Sequence, residues 1–147
     1  MRLNLQTDFA LRTLMHLAVN TDRRVTISEI SDTFGISRNH LMKVALALSH
    51  EGFIATERGR AGGLRLARSA SDIQLGHVVR RMEGNTALVE CFPGGAGGCR
   101  ISPTCRLRGA LAEALEAFFT TLDSWSVADL VRGNAPLQEM LGAGAAA

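Results

Sequence analysis

The stretch that decides the fold is TISEISDTFGISRNHLMKVALALSHEG, residues 26–52. Its first half, 26–34, predicts a short helix. Thr26 is a candidate N-cap with Glu29 three residues on, the pattern of a capping box, and Gly35 breaks the periodicity. Ser37 opens a second helix on which Leu41, Val44, Ala45 and Leu48 share one face, and Gly52 closes it. Two helices joined by so tight a turn predict a helix-turn-helix, at about residues 28–51.

Upstream, TDFALRTLMHLAVN (7–20) places Leu11, Leu14, Leu17 and Ala18 at helical spacing, with Thr7 as the expected N-cap. Downstream, FIATE and LRLA flank the turn RGRAGG, a hairpin signal over residues 53–67. Helix, turn, helix and hairpin in this order is the layout of a winged helix-turn-helix. Residues 71–84 predict a further helix with Ile73, Val78, Val79 and Met82 inward. Residues 85–104, with Pro93, GGAGG and Pro103, read as loop. Ser102-Pro103 then resembles an N-cap with proline at the first helical position, opening a helix from 103 to about 123. On it Leu107, Leu111, Leu115, Phe118 and Leu122 form an apolar stripe suited to packing on another helix. Residues 126–131 suggest one more turn, and the tail ending GAGAAA lacks packing content. The expected fold class is mainly α with a small β-hairpin. The expected units are 1–84 (winged helix-turn-helix), 85–131 (loop and long helix) and 132–147 (flexible tail).

The chain has 147 residues, 46% hydrophobic and 20% charged, and a net charge of +2, which suits one soluble folded domain. The N-terminus lacks signal-peptide character, because Asp8 and Arg12 interrupt its apolar residues. No stretch approaches the ~18 apolar residues of a membrane span. A cytoplasmic protein without membrane association is expected. Residues 1–70 hold 10 Lys/Arg against 6 Asp/Glu, whereas 71–147 hold 6 against 8. The basic half hints at a polyanion, although a solvated basic surface accounts for the charge as well.

The second helix sharpens this. Off its apolar face stand Ser37, Arg38, Asn39, His40 and Lys43, side chains that read guanine or adenine edges and hold phosphates. At the hairpin tip Arg58 and Arg60 accompany Gly62 and Gly63, suited to a groove wall. Thr26 and Ser28 complete the candidate DNA-contacting set. No nucleotide loop or Ser/His/Asp array points to an enzyme. Among the remaining histidines, His16 and His77 are expected to pack or lie at the surface, and His50 at the surface.

All three cysteines, Cys91, Cys99 and Cys105, fall within 15 residues, spaced C-x7-C-x5-C on the Gly/Pro-rich loop. Clustered cysteines in a reducing compartment point to metal or redox chemistry rather than disulfides. Cys105 in the first turn of the long helix would have its thiolate favoured by the helix dipole. Iron–sulfur cluster, structural zinc and three unrelated thiols all remain open from spacing alone.

MRLNLQTDFALRTLMHLA, TISEISDTFGISRNHLMKV, RGRAGGLRLA and CRISPTCRLRGALAEALEAFFTTLD together resemble the IscR/NsrR iron–sulfur winged-helix regulators over about residues 1–131. The NsrR-type, nitric-oxide-sensing branch is the most similar. The resemblance implies a homodimeric transcriptional repressor joined along the long helix through Leu107, Leu111, Leu115, Phe118 and Leu122. It would bind a partly palindromic double-stranded operator and derepress nitric-oxide detoxification genes. It implies one cluster per subunit on Cys91, Cys99 and Cys105, [4Fe–4S] rather than [2Fe–2S], with Asp8 as the fourth ligand across the dimer. An acid early in a helix is also favourable on dipole grounds alone. Members of the IscR type carry a ligating histidine three residues after the third cysteine. Here that position is Arg108, which has no lone pair to give. The interval from Cys91 to Cys99 is longer than in many relatives, so a different loop geometry is expected. A regulator sensing iron or redox status, one with structural zinc, or an iron–sulfur electron carrier are the alternative readings.

Overall fold

The computed structural model describes residues 1–85 and 87–142. Within them, seven helices and one hairpin follow in chain order: α1 (Leu5–Val19), α2 (Ile27–Phe34), α3 (Arg38–His50), β1 (Ile54–Glu57), β2 (Gly63–Leu66), α4 (Leu75–Glu83), α5 (Arg106–Asp123), α6 (Val127–Val131) and α7 (Ala135–Gly142). Short 3-10 turns stand at Ala70–Asp72 and Ser102–Thr104. The fold is mainly α with a small hairpin, as the sequence predicts.

The helix-turn-helix forms for the expected local reasons. Thr26 Oγ1 accepts from the Glu29 amide at 3.1 Å. Gly35 ends α2 in the left-handed region at φ 64°, which only a residue without Cβ adopts freely. Ser37 caps α3 by accepting from the His40 amide. Leu41, Val44 and Leu48 then bury against Leu14 and Leu17 of α1 and Ile30 of α2, in one core that also takes in Phe53, Leu64, Ile73, Val78 and Val127. Full burial of each such side chain contributes about 1.5–3 kcal/mol.

The hairpin pairs Ile54 with Leu66 and Glu57 with Gly63. Val25, just before α2, bridges Leu64 by two backbone hydrogen bonds of 3.0 and 2.7 Å, so the wing is laced to the helix-turn-helix.

Four expectations need correction. The cap of α1 is Asn4, not Thr7: Asn4 Oδ1 accepts from the Thr7 amide at 2.7 Å, and Thr7 is buried inside the first turn. Asparagine is the stronger capping residue. The helix expected from 71 starts at Leu75, because residues 73–75 pair with 125–127. Val127 donates to the Ile73 carbonyl and Leu75 to that of Trp125, both at 2.9 Å. The long helix starts at Arg106, not 103. Pro103 sits in the 3-10 turn, and Cys105 takes an extended conformation (ψ 109°) at the N-cap position. Finally, residues 135–142 are not flexible tail but α7, whose Leu141 is buried and whose Leu141 carbonyl accepts from Asn20 Nδ2 at 3.1 Å. The tail's last residues, 143–147, lie outside the described part of the chain.

Candidate nucleic-acid interface and cysteine loop

With one face of α3 buried, Arg38, Asn39, His40 and Lys43 are exposed on the other. Arg38, Asn39 and Lys43 make no side-chain hydrogen bond or ion pair among the described residues, so their polar groups are available to a ligand. His40 is partly diverted: its ring stands 6.0 Å from that of Phe9 on α1. Ser37 and Thr26 hold the amides of α3 and α2 through their side-chain oxygens and keep their hydroxyl protons to donate. Ser28 lies half-buried in the first turn of α2.

Arg58 and Arg60 project from the wing tip, without an ion pair among the described residues. Gly62 and Gly63 are required by the wing's own packing, whatever they offer to DNA. A Cβ at Gly62 would run into the Glu57 carbonyl, and one at Gly63 would stand 2.9 Å from that of Val25. They are small because the wing packs on its own chain, braced further by Arg24 Nη1 donating to the Ala61 carbonyl at 2.8 Å.

Sequence reading missed the polar cluster that seats α2. His16, fully buried on α1, has Nε2 at 2.9 Å from Glu29 Oε1. Arg23 grips both oxygens of Glu29, at 2.8 and 2.6 Å, and reaches Asn20 Oδ1 at 2.9 Å. Asn20 in turn donates to the carbonyls of His16 and Leu141. Chiefly through Arg23, and with help from His16, the Glu29 carboxyl is held down at about 2 against the opposing effect of burial. The capping-box pattern masked this role: Glu29 gives α2 its amide, while its carboxylate ties α2 to α1. The placement of His16 between the buried positions Thr13 and Leu17 was the available signal.

Cys91, Cys99 and Cys105 are free thiols, each half-exposed. The intervening loop folds on itself, with Gly94 and Gly95 lying against the backbone of Asn85 and Glu90. Among the described residues, no three His, Cys, Asp or Glu side chains stand together as a metal site. The donor set nonetheless fits a thiophilic group: three accessible thiols, unpaired, on one loop that enters a helix. Binding such a group requires the loop to close around it. Asp8 is 40% exposed and paired bidentately with Arg12, at 3.2 and 2.7 Å. An exposed i,i+4 pair is worth only about 0.3–0.5 kcal/mol, so the carboxylate is readily released.

On α5, Leu107 is 64% exposed, but the stripe does not face outward as a whole. Leu122 packs against the chain's own core, and Leu111, Leu115 and Phe118 are half-buried. The joint with α4 is polar as well. Arg80 pairs with Asp123 at 2.7 and 2.8 Å and lies over the Phe119 ring at 4.4 Å. The next residue, Arg81, reaches Glu51 at the end of α3 at 2.5 Å. Asn4 Nδ2, at the start of α1, donates to the Met82 carbonyl. One turn of α4 thus touches α1, α3 and α5 before the chain runs into the cysteine loop.

Residues 3–133 match the family described as Rrf2, iron-dependent transcriptional regulator. The chain is 44% identical over 142 residues to a protein of Geobacillus kaustophilus (strain HTA426) named HTH-type transcriptional regulator NsrR, covering 96% of this chain and 97% of the relative. In fold it is similar to T. potens IscR (TM-score 0.72, 20% identity, 90% of this chain and 87% of the other). It is equally similar to Staphylococcus aureus CymR (TM-score 0.71, 20% identity, 88% and 97%).

Proposed function

The chain belongs to the Rrf2 family of iron-dependent transcriptional regulators, and from that premise we propose that it is a homodimeric repressor whose iron–sulfur cluster senses nitric oxide. Its relatives are regulators rather than enzymes, and no helix among the described residues is long and apolar enough to cross a membrane. The observation that carries the DNA-binding part is the exposed, unpaired trio Arg38, Asn39 and Lys43 on α3, opposite a buried apolar face and beside a wing ending in Arg58 and Arg60. Ser37, Thr26 and Ser28 supply hydroxyls to phosphates from the helix starts, and His40 borders the α1 side.

Cys91, Cys99 and Cys105 would hold the cluster, [4Fe–4S] in preference to [2Fe–2S], one per subunit. Asp8 of a second copy would be the fourth ligand. When bound, the cluster would supply iron with an affinity for nitric oxide. The chain's own residues carry the consequence to the DNA. The cysteine loop begins where α4 ends, and that end of α4 grips Asp123, Glu51 and the start of α1. Movement of the loop therefore bears on the C-terminal end of α3 through Arg81–Glu51. It bears on its N-terminal end through α1, where Phe9 meets His40. The dimer would form along α5, with Leu107 outward, Leu111, Leu115 and Phe118 half-buried within this chain and Leu122 packed on its core. As units, 1–84 and 85–131 remain the proposed DNA-binding and sensing parts, joined at α4.

The double variant R38A/K43A tests the DNA-binding face. Its affinity for a duplex selected by the wild-type protein from a random-sequence library is expected to fall at least tenfold, as loss of one good base contact alone costs about 1–3 kcal/mol. The dependence of log affinity on log salt should flatten by about 1 for each phosphate that the variant no longer holds. The melting temperature should not move. Unchanged affinity and slope would remove α3 from the interface.

A further inference from the structure

The DNA-facing side of α3 is not wholly polar. Met42 is 59% exposed and Leu46 73%, on the helix that presents Arg38, Asn39 and Lys43. A single exposed methionine is ordinary. This one is framed by Arg38 one turn before it and Asn39 three residues before it. Leu46 borders a groove with Gln6, Arg81 and Met82 and so leans toward α4. Met42 lies on the opposite flank of the exposed face from His40, which is the side turned to α1.

What covers Met42 is indicated by charge. The helix carries no Asp or Glu from Arg38 to His50, and its cations, Arg38 one turn from Met42 and Lys43 further round, fit a polyanion together with Arg58 and Arg60 on the wing. A duplex in that position offers one apolar group in its major groove, the 5-methyl of thymine. Methionine, unbranched and flexible, adapts its sulfur and terminal methyl to such a contact. Asn39 and Met42 are three residues apart, about 4.5 Å along a helix axis, comparable with the 3.4 Å step between base pairs.

We propose that Met42 is a specificity-determining residue that reads a thymine methyl one or two base pairs from the base read by Asn39. This rests on the reading of α3 as the recognition helix and adds to it the identity of one base. The operator half-site would carry an obligatory thymine there, and the discrimination would reside in its methyl group rather than in a hydrogen bond.

The test uses the full-length protein, purified without oxygen, and the duplex it selects from a random-sequence library. Each thymine of the half-site is replaced in turn by deoxyuridine, which removes the methyl and nothing else. One position is expected to lose about fourfold in affinity, the worth of one buried methyl-sized group. Met42→Ala should bind the thymine duplex about fourfold more weakly and be indifferent to that replacement, whereas Met42→Leu should retain the discrimination. Because the side chain is exposed, neither variant should shift the melting temperature. Insensitivity of the wild type at every thymine overturns the proposal, as does M42A keeping the full penalty. If an Arg38→Ala or Asn39→Ala variant selects the same sequence as the wild type, the underlying reading of α3 fails instead.

Discussion

Replacing Cys99 by alanine is expected to leave a folded protein that carries almost no iron, lacks visible absorption and binds its selected duplex at least tenfold more weakly. Cys99 stands on an exposed loop and packs into no part of the core, so its removal costs the fold little. What it removes is one of three thiolates available to a cluster. The same outcome is expected for Cys91→Ala and Cys105→Ala. A tenfold loss corresponds to only about 1.4 kcal/mol, a small shift in how the loop bears on α4. Iron and sulfide analysis, the visible spectrum and a binding isotherm on each variant check this together. A colourless wild-type protein containing zinc would support the structural-metal alternative, and a coloured protein that binds no duplex would support the electron carrier.

The second large effect is in the cluster that seats α2. Glu29→Gln removes the charge that both Arg23 and His16 face. His16 is fully buried, so its ring is left against a weaker partner with no water to replace it. Breaking a buried pair from one side costs about 3–5 kcal/mol. The loss here should be about 3 kcal/mol, since Arg23 is partly exposed. For a chain of this length that is about 6–12 °C in melting temperature. The acid dependence follows from the same group. The Glu29 carboxyl titrates at about 2 in the folded protein, below the ordinary glutamate value of about 4.3. Its contribution is therefore present in full above the ordinary value and is lost as pH falls toward 2. Denaturation midpoints measured from pH 5 downward should show this fall in the wild type. In E29Q that part of it should be missing. Equal slopes in the two proteins would mean that the carboxylate does not hold α2.

These two sites differ in how plainly the sequence announced them. The caps at Thr26 and Ser37, the break at Gly35 and the apolar face of α3 are local signals, and all form as read. The hairpin was legible for the same reason, through its turn residues. What escaped was set by contacts distant in sequence. The backbone pairing of 73–75 with 125–127 delays the start of α4. Asn20 holds Leu141 across the core and thereby gives α7 a place to dock. Glu29 matched a local capping pattern so well that its partners outside the helix, His16 on α1 and Arg23 six residues before it, were hidden. The cysteines were visible at once, but neither their spacing nor their positions in the folded chain selects iron over zinc. Arg108 after the last cysteine argues only against a histidine ligand at that position, and Asp8 is held by Arg12 in this conformation.

The central claim is that a cluster on the cysteine loop controls the affinity of α3 for DNA. The most direct measurement is the dissociation constant for the selected duplex, taken on the protein purified without oxygen, before and after addition of nitric oxide in step with its iron content. The account predicts a brown protein whose affinity falls at least tenfold as its visible spectrum changes. An affinity that stays the same after the spectrum has changed completely would contradict it.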